Sequence, residues 1–151
     1  MLQNKVPPPL VSGLFALAMW AATPYLPVIN MPYRAKGLLI LVLVLLGVKA
    51  ALGGVLAFRE ARTTVNPLKP ERASSLVITG IYRFSRNPMY LGMALFLTAW
   101  MIYLGSPLLL LAVIGFVLYM NMFQIGPEER AMQRLFGAEF ESYKKQVRRW
   151  I

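Results

Sequence analysis

The chain contains no cysteine, no histidine and no aspartate. These absences exclude Cys or His metal sites, Cys-His dyads, Ser-His-Asp triads and aspartyl-phosphate intermediates. With no thiol to read, the redox compartment stays open. Acidic side chains are scarce: Glu60, Glu71, Glu128, Glu129, Glu139 and Glu141 stand against 16 Lys and Arg, for a net charge of +10. Long polar stretches are also few. Hydrophobic residues make up 58% of the 151 positions, and they gather in runs near the ~18 residues that mark a membrane-spanning helix.

Four such runs can be placed, at residues 9–28, 35–58, 88–104 and 107–125. Helices are expected throughout, because an open sheet edge cannot be satisfied in hydrocarbon. Pro24 and Pro27 should kink or end the first run, and Gly105-Ser106 leaves room only for a tight hairpin between the third and fourth. The opening MLQNKVPPPL carries one lysine, and no small-residue cleavage site closes the run that follows, so that run reads as the first membrane helix rather than a secretory signal.

Basic residues set the expected orientation. Arg59, Arg62, Lys69, Arg72, Arg83 and Arg86 separate the second and third runs, and Arg130, Arg134, Lys144, Lys145, Arg148 and Arg149 follow the fourth. The loop after the first run has only Arg34 and Lys36. Both rich regions should therefore be cytoplasmic, with both termini inside and Lys5 in agreement. In the tail, residues 127–151, Met132, Leu135, Phe136, Phe140, Tyr143, Val147 and Trp150 recur at helical steps among charges, the pattern of an amphipathic surface helix that Gly137 should break. The expected architecture is all-α: a single polytopic membrane domain over 1–151 with about four transmembrane helices and a C-terminal amphipathic cytoplasmic helix.

Two stretches could carry chemistry. In GIYRFSRNPMYLG, residues 80–92, Asn87 suits an N-cap and Pro88 the first helical position. Arg83 and Arg86 beside that helix start could seat a carboxylate or phosphate, and Gly80 and Gly92 would admit a ligand or another backbone closely. The plain alternative is that the arginines set topology and that Tyr82 and Tyr90 are interfacial aromatics. In QIGPEERAMQRLFG, Gly126 and Pro127 should close the fourth span and open the tail helix, which puts Glu128 and Glu129 in its first turn. The helix dipole alone would favour carboxylates there, although adjacent acids could also hold a cation or take a proton. Lys49, inside the second run, is either functional or snorkels to the boundary. Gly53-Gly54 reads as close helix packing.

LVITGIYRFSRNPMYLG resembles the signature of integral-membrane methyltransferases related to isoprenylcysteine carboxyl methyltransferase and the phospholipid N-methyltransferases, roughly L-V-x-x-G-x-Y-x-x-x-R-H-P-x-Y-x-G. EERAMQRLFGAEFESYKKQV resembles that family's second signature, and RTTVNP a segment that bacterial members carry upstream. The resemblance spans residues 62–150. It implies S-adenosylmethionine as methyl donor, held by segments 59–92 and 124–151 on the cytoplasmic side, with Val77, Ile78, Thr79, Gly80, Tyr82, Arg86, Asn87, Pro88, Tyr90, Leu91, Gly92, Glu128 and Glu129 in the donor site. Glu129, Glu128 and Arg86 are then the expected catalytic residues. It further implies a lipophilic acceptor arriving from the bilayer, membrane lipids as partners, neither metal nor nucleic acid, and residence in a bacterial inner membrane. Two positions depart from the pattern. Asn87 stands where eukaryotic members have histidine, and Gln124 where the carboxyl methyltransferases have arginine, so the prenylcysteine substrate does not carry over. The reading from another class is a non-catalytic scaffold whose basic faces grip anionic lipid.

Overall fold

The computed structural model describes residues 6–61 and 75–151. Lys5, Arg62, Lys69, Arg72, Glu71 and the RTTVNP segment lie outside the described residues. The described elements are helical: α1 (Pro8–Ala22), α2 (Tyr33–Glu60), α3 (Pro88–Leu104), α4 (Leu110–Met120) and α5 (Gly126–Gln146), with short 3-10 turns at Thr23–Tyr25, Gly80–Arg83 and Pro107–Leu109. Two helices are long and apolar enough to cross a membrane, Tyr33–Glu60 and the continuous Pro107–Gln146, and α3 is a shorter apolar helix. The large apolar side chains left exposed along α2 and α4, among them Leu38, Leu45, Leu52, Leu111 and Leu118, call for a lipid surround rather than water.

The first run forms a shorter helix than its apolar length suggests. Pro24 and Pro27 cannot continue an α-helix, so α1 stops at Ala22 and a 3-10 turn follows. The third and fourth runs form the expected hairpin, closed by Gly105 in the left-handed conformation (φ 81°).

A larger difference lies at Gly126-Pro127, where a break was expected. There the helix runs on without interruption, because residues Asn121–Ile125 widen into a π turn. Pro127 has no N–H to donate and its ring would clash with the carbonyl four residues back; a wider turn relieves both problems. The Gly126 N–H accordingly donates to the Asn121 carbonyl, five residues back, and a Cβ on Gly126 would come within 3.1 Å of that oxygen.

Helices α2 and α3 pack with backbones nearly touching. A Cβ on Gly92 would lie 2.8 Å from the Gly47 carbonyl, and one on Gly54 would lie 2.7 Å from Met89 Cγ and 3.3 Å from Pro88 Cγ. Small residues at this seam let the helices approach and fix where α3 begins relative to α2. Against the other side of α3, Val11 and Met19 of α1 meet Tyr90, Leu97, Val113, Phe116 and Met120 in the main core. Phe15 meets Phe116 edge to face, with centroids 5.7 Å apart.

A second core joins Ala57 of α2, Val77 and Tyr82 of the segment before α3, and Phe140, Tyr143 and Val147 of the tail, with Met132 and Phe136 packed against it. Much of the apolar face expected to lie on lipid is therefore covered by protein. The expected break at Gly137 is present as a non-helical backbone (φ 47°, ψ −117°), which bends α5 back over that core.

Candidate active site

The N-terminal end of α3 is where four chain segments converge. Asn87 and Pro88 start the helix as expected, but the Asn87 side chain does not cap it. Its Nδ2 donates instead to the Arg149 carbonyl at 2.9 Å, while its backbone N–H donates to Ser85 Oγ at 3.1 Å. The amide is thus committed to the returning chain rather than to the free N–H groups in the first turn of α3.

Arg86 organises the cluster. Its Nη2 donates to Glu129 Oε1 at 2.7 Å, and its Nη1 donates to the carbonyls of Val147 (2.7 Å) and Lys144 (3.2 Å). Its backbone N–H donates to the Arg148 carbonyl at 3.1 Å. The chain after α5, residues 147–151, is thereby strapped across the start of α3. Arg149 adds a second guanidinium to Glu129, with Nε 3.1 Å from Oε1 and Nη2 on Oε2. The side chains of Arg86 and Glu129 are only 11% and 17% exposed. An ion pair so enclosed persists only when its remaining hydrogen-bonding positions are also satisfied, and here they are with one exception: Arg86 Nε, a buried donor without a partner among the described residues.

The two adjacent glutamates, outside the apolar part of the helix, meet opposite surroundings. Burial acts to raise the Glu129 carboxyl, but the Arg149 and Arg86 guanidiniums outweigh it and hold the group below the usual carboxylate range. Glu128 accepts a hydrogen bond from the Tyr90 hydroxyl. Burial pushes its carboxyl up to about 8, the Tyr90 bond opposes that, and the negative charge of Glu129 adds to it.

Next to this cluster, the segment before α3 and the outer face of α5 enclose a cleft of about 430 Å³ lined by Ile78, Thr79, Arg83, Glu139, Ser142, Tyr143, Gln146 and Val147. That size lies within the roughly 300–1,000 Å³ of small-molecule sites. Gly80, with φ 59°, allows the turn that places Ile78 and Thr79 on its rim. Tyr82 and Val77 share a buried cluster with two of the lining residues, Tyr143 and Val147, and Tyr143 donates from its hydroxyl to the Tyr82 carbonyl at 2.7 Å.

The sequence-derived residues thus divide into groups. Arg86, Asn87, Tyr90, Glu128 and Glu129 meet in the polar cluster, and Ile78, Thr79 and Gly80 border the cleft. Arg83 turns into the cleft rather than joining Arg86. Pro88 and Gly92 are taken up by packing against α2, so the close approach at Gly92 is made by the Gly47 backbone. Leu91 sits in the first turn of α3, its N–H donating to the Asn87 carbonyl at 2.9 Å.

Gln124 faces away from the cluster. It is fully buried, and its Nε2 donates to the Val6 carbonyl at 2.7 Å. Arg149 and Asn121 were missed as site residues. Asn121 Oδ1 accepts from Arg149 Nη1 (3.4 Å) and Trp150 Nε1 (3.1 Å), which ties the strap to the π turn. The RRW triplet offered only charge and an aromatic, and neither shows which distant segment it meets.

Residues 35–139 match the family model described as phospholipid methyltransferase. An uncharacterized protein of Haemophilus influenzae is 48% identical over 63 residues, which cover 42% of this chain and all of that relative. No solved structure matches the chain. A family match over more than half the chain, across both converging segments, makes this protein a member of the phospholipid methyltransferase family, whose members are S-adenosylmethionine-dependent membrane methyltransferases.

Proposed function

We propose that this protein is an integral-membrane methyltransferase that moves a methyl group from S-adenosylmethionine to a lipophilic acceptor reaching the site from the bilayer. α1, α2, α3 and the apolar part of the long helix cross the membrane, with both termini and the α3 start on the cytoplasmic side. The single observation that carries the reading is the contact between Arg86 and Glu129, which joins the two signature stretches in one buried polar cluster beside a ligand-sized cleft.

The residues present suit the donor. Arg86 Nε is an orphaned buried donor for an oxygen of the ligand, Ile78 and Thr79 offer a wall for an adenosine moiety, and Glu129 offers a carboxylate to an ammonium group or ribose hydroxyls. When bound, S-adenosylmethionine supplies an electrophilic methyl group on a sulfonium. What this chain must add is alignment and dryness. Arg86 and Asn87 hold the strap over the α3 start, which shields the cluster from water. Glu129, locked by two guanidiniums, is a fixed anion and a poor base. Glu128, its carboxyl raised to about 8 and hydrogen-bonded to Tyr90, is the better group to take a proton from an amine or thiol acceptor, which it does in its ionised form at the oxygen Tyr90 does not hold.

The test is to supply the purified full chain with labelled donor and a total lipid extract. Label should enter a lipid fraction, and Glu129→Gln should abolish the transfer. A folded chain that shows no saturable donor binding would favour the non-catalytic scaffold instead.

A further inference from the structure

Lys49 plays no part in the cluster. It is exposed on α2, within a stripe of large apolar side chains that includes Leu41, Leu45, Leu52 and Leu56. Among the described residues no carboxylate pairs with it.

Helix packing gives its depth. At one end of α3, Gly105 lies near Lys36 of α2; at the other, Pro88 and Met89 abut Gly54. Helix α3 thus runs beside residues 36 to 54 of α2, a rise of about 27 Å at ~1.5 Å per residue, close to the ~30 Å of a hydrocarbon core. Lys49 is about 7 Å inside the Gly54 level at that same rise, near the site's end and far from the other.

Its direction follows from Gly53, one turn nearer the site and on the same face of α2, where a Cβ would lie 3.4 Å from Ile81. Lys49 therefore opens to lipid directly beneath the Gly80–Arg83 turn, at the edge of the site. A cation there is costly unless an anion meets it. Two features bring one within reach: the lysine stem can bend toward the boundary, and α3, a helix of 17 residues, is short enough to draw the headgroup plane inward. The anion that every glycerophospholipid carries at that plane is its phosphodiester.

We propose that Lys49 seats the phosphate of a glycerophospholipid standing beneath the Gly80–Arg83 turn, its headgroup at the polar cluster; the proposal rests on the methyl-transfer reading only in naming that lipid the acceptor. Lys49 is then a positioning residue, and acceptors that carry a phosphodiester are preferred over those that carry none.

The full chain in a phosphate-free maltoside detergent can be titrated with phosphatidylglycerol and, separately, with diacylglycerol of the same tails. Native mass spectrometry counts the bound lipid, and calorimetry on the same samples gives donor affinity. The wild type should hold phosphatidylglycerol in preference to diacylglycerol; Lys49→Gln should weaken phosphatidylglycerol about fivefold, the typical effect of one basic residue at a lipid surface, and Lys49→Arg should restore it. Donor affinity should be the same in all three. Equal retention of the two lipids by the wild type would overturn the proposal, as would Lys49→Gln binding phosphatidylglycerol like the wild type or losing lipid and donor together. A wild type that takes no donor would count against methyl transfer, with the lipid comparison still deciding the role of Lys49.

Discussion

The two ends of α3 carry similar residue types and put them to different use. At the Gly105 end, Lys36 Nζ lies 5.8 Å from the Tyr103 ring centroid, the Arg34 guanidinium lies 5.7 Å from Tyr33, and Trp100 stacks on Tyr103 at 5.2 Å. These cations rest on aromatic faces near exposed Tyr33 and Tyr103, the arrangement of a membrane boundary. Among the described residues, the stretches 23–36 and 100–110 that form that end include no glutamate. At the Pro88 end, cations and carboxylates are enclosed together, held by a strap and bordered by a cleft. The contrast teaches that basic and aromatic residues alone make an anchor, whereas opposite charges buried together at one helix start make a candidate site.

The comparison breaks most severely at Glu129. Glu129→Gln leaves Arg86 enclosed without its counter-charge and should destabilise the chain by ~3–5 kcal/mol, seen as a lowered unfolding temperature in detergent. Next comes the seam that positions α3: Gly92→Ala drives a Cβ to within 2.8 Å of the Gly47 carbonyl and should cost ~1–3 kcal/mol, with weaker donor binding as the α3 start shifts.

A smaller effect sharpens the contrast between the adjacent glutamates. The raised Glu128 carboxyl means that the folded chain holds a proton which the unfolded chain releases near 4.5, the ordinary value of a glutamate. That contribution to stability is complete below 4.5 and lost as pH rises through about 8. Denaturation midpoints measured across this window should show Glu128→Gln removing that downward component relative to wild type. Glu129 has the opposite sign: its lowered carboxyl stabilises above its unfolded value, and the contribution disappears on acidification. The smallest effect belongs to the far end, where Lys36→Gln should cost no more than ~0.5–1 kcal/mol and leave donor binding unchanged.

The convergence itself was legible in the sequence for a physical reason. Charge bias placed residues 80–92 and the start of the tail on one side, and Asn-Pro marked where α3 begins. Less legible was anything that depended on a partner distant in sequence. The Asn87 amide could as well have capped its own helix, and only the returning strap decides that it binds Arg149. Arg149 read as one topology charge among several. Periodicity showed that one face of α5 is covered but could not say whether lipid or the Tyr82 and Val77 side of the protein covers it. Gly126-Pro127 signalled a break, and a π turn absorbed it, because the same missing N–H can end a helix or widen one turn.

The measurement that bears most directly on the Arg86–Glu129 cluster as a donor site is an equilibrium titration of the detergent-purified full chain with S-adenosylmethionine, read by calorimetry and paired with circular dichroism. Saturable one-site binding should be present in the wild type and in Lys36→Gln, and lost in Glu129→Gln while helicity is retained. No heat of binding in a folded wild type, or undiminished affinity in Glu129→Gln, would contradict the assignment.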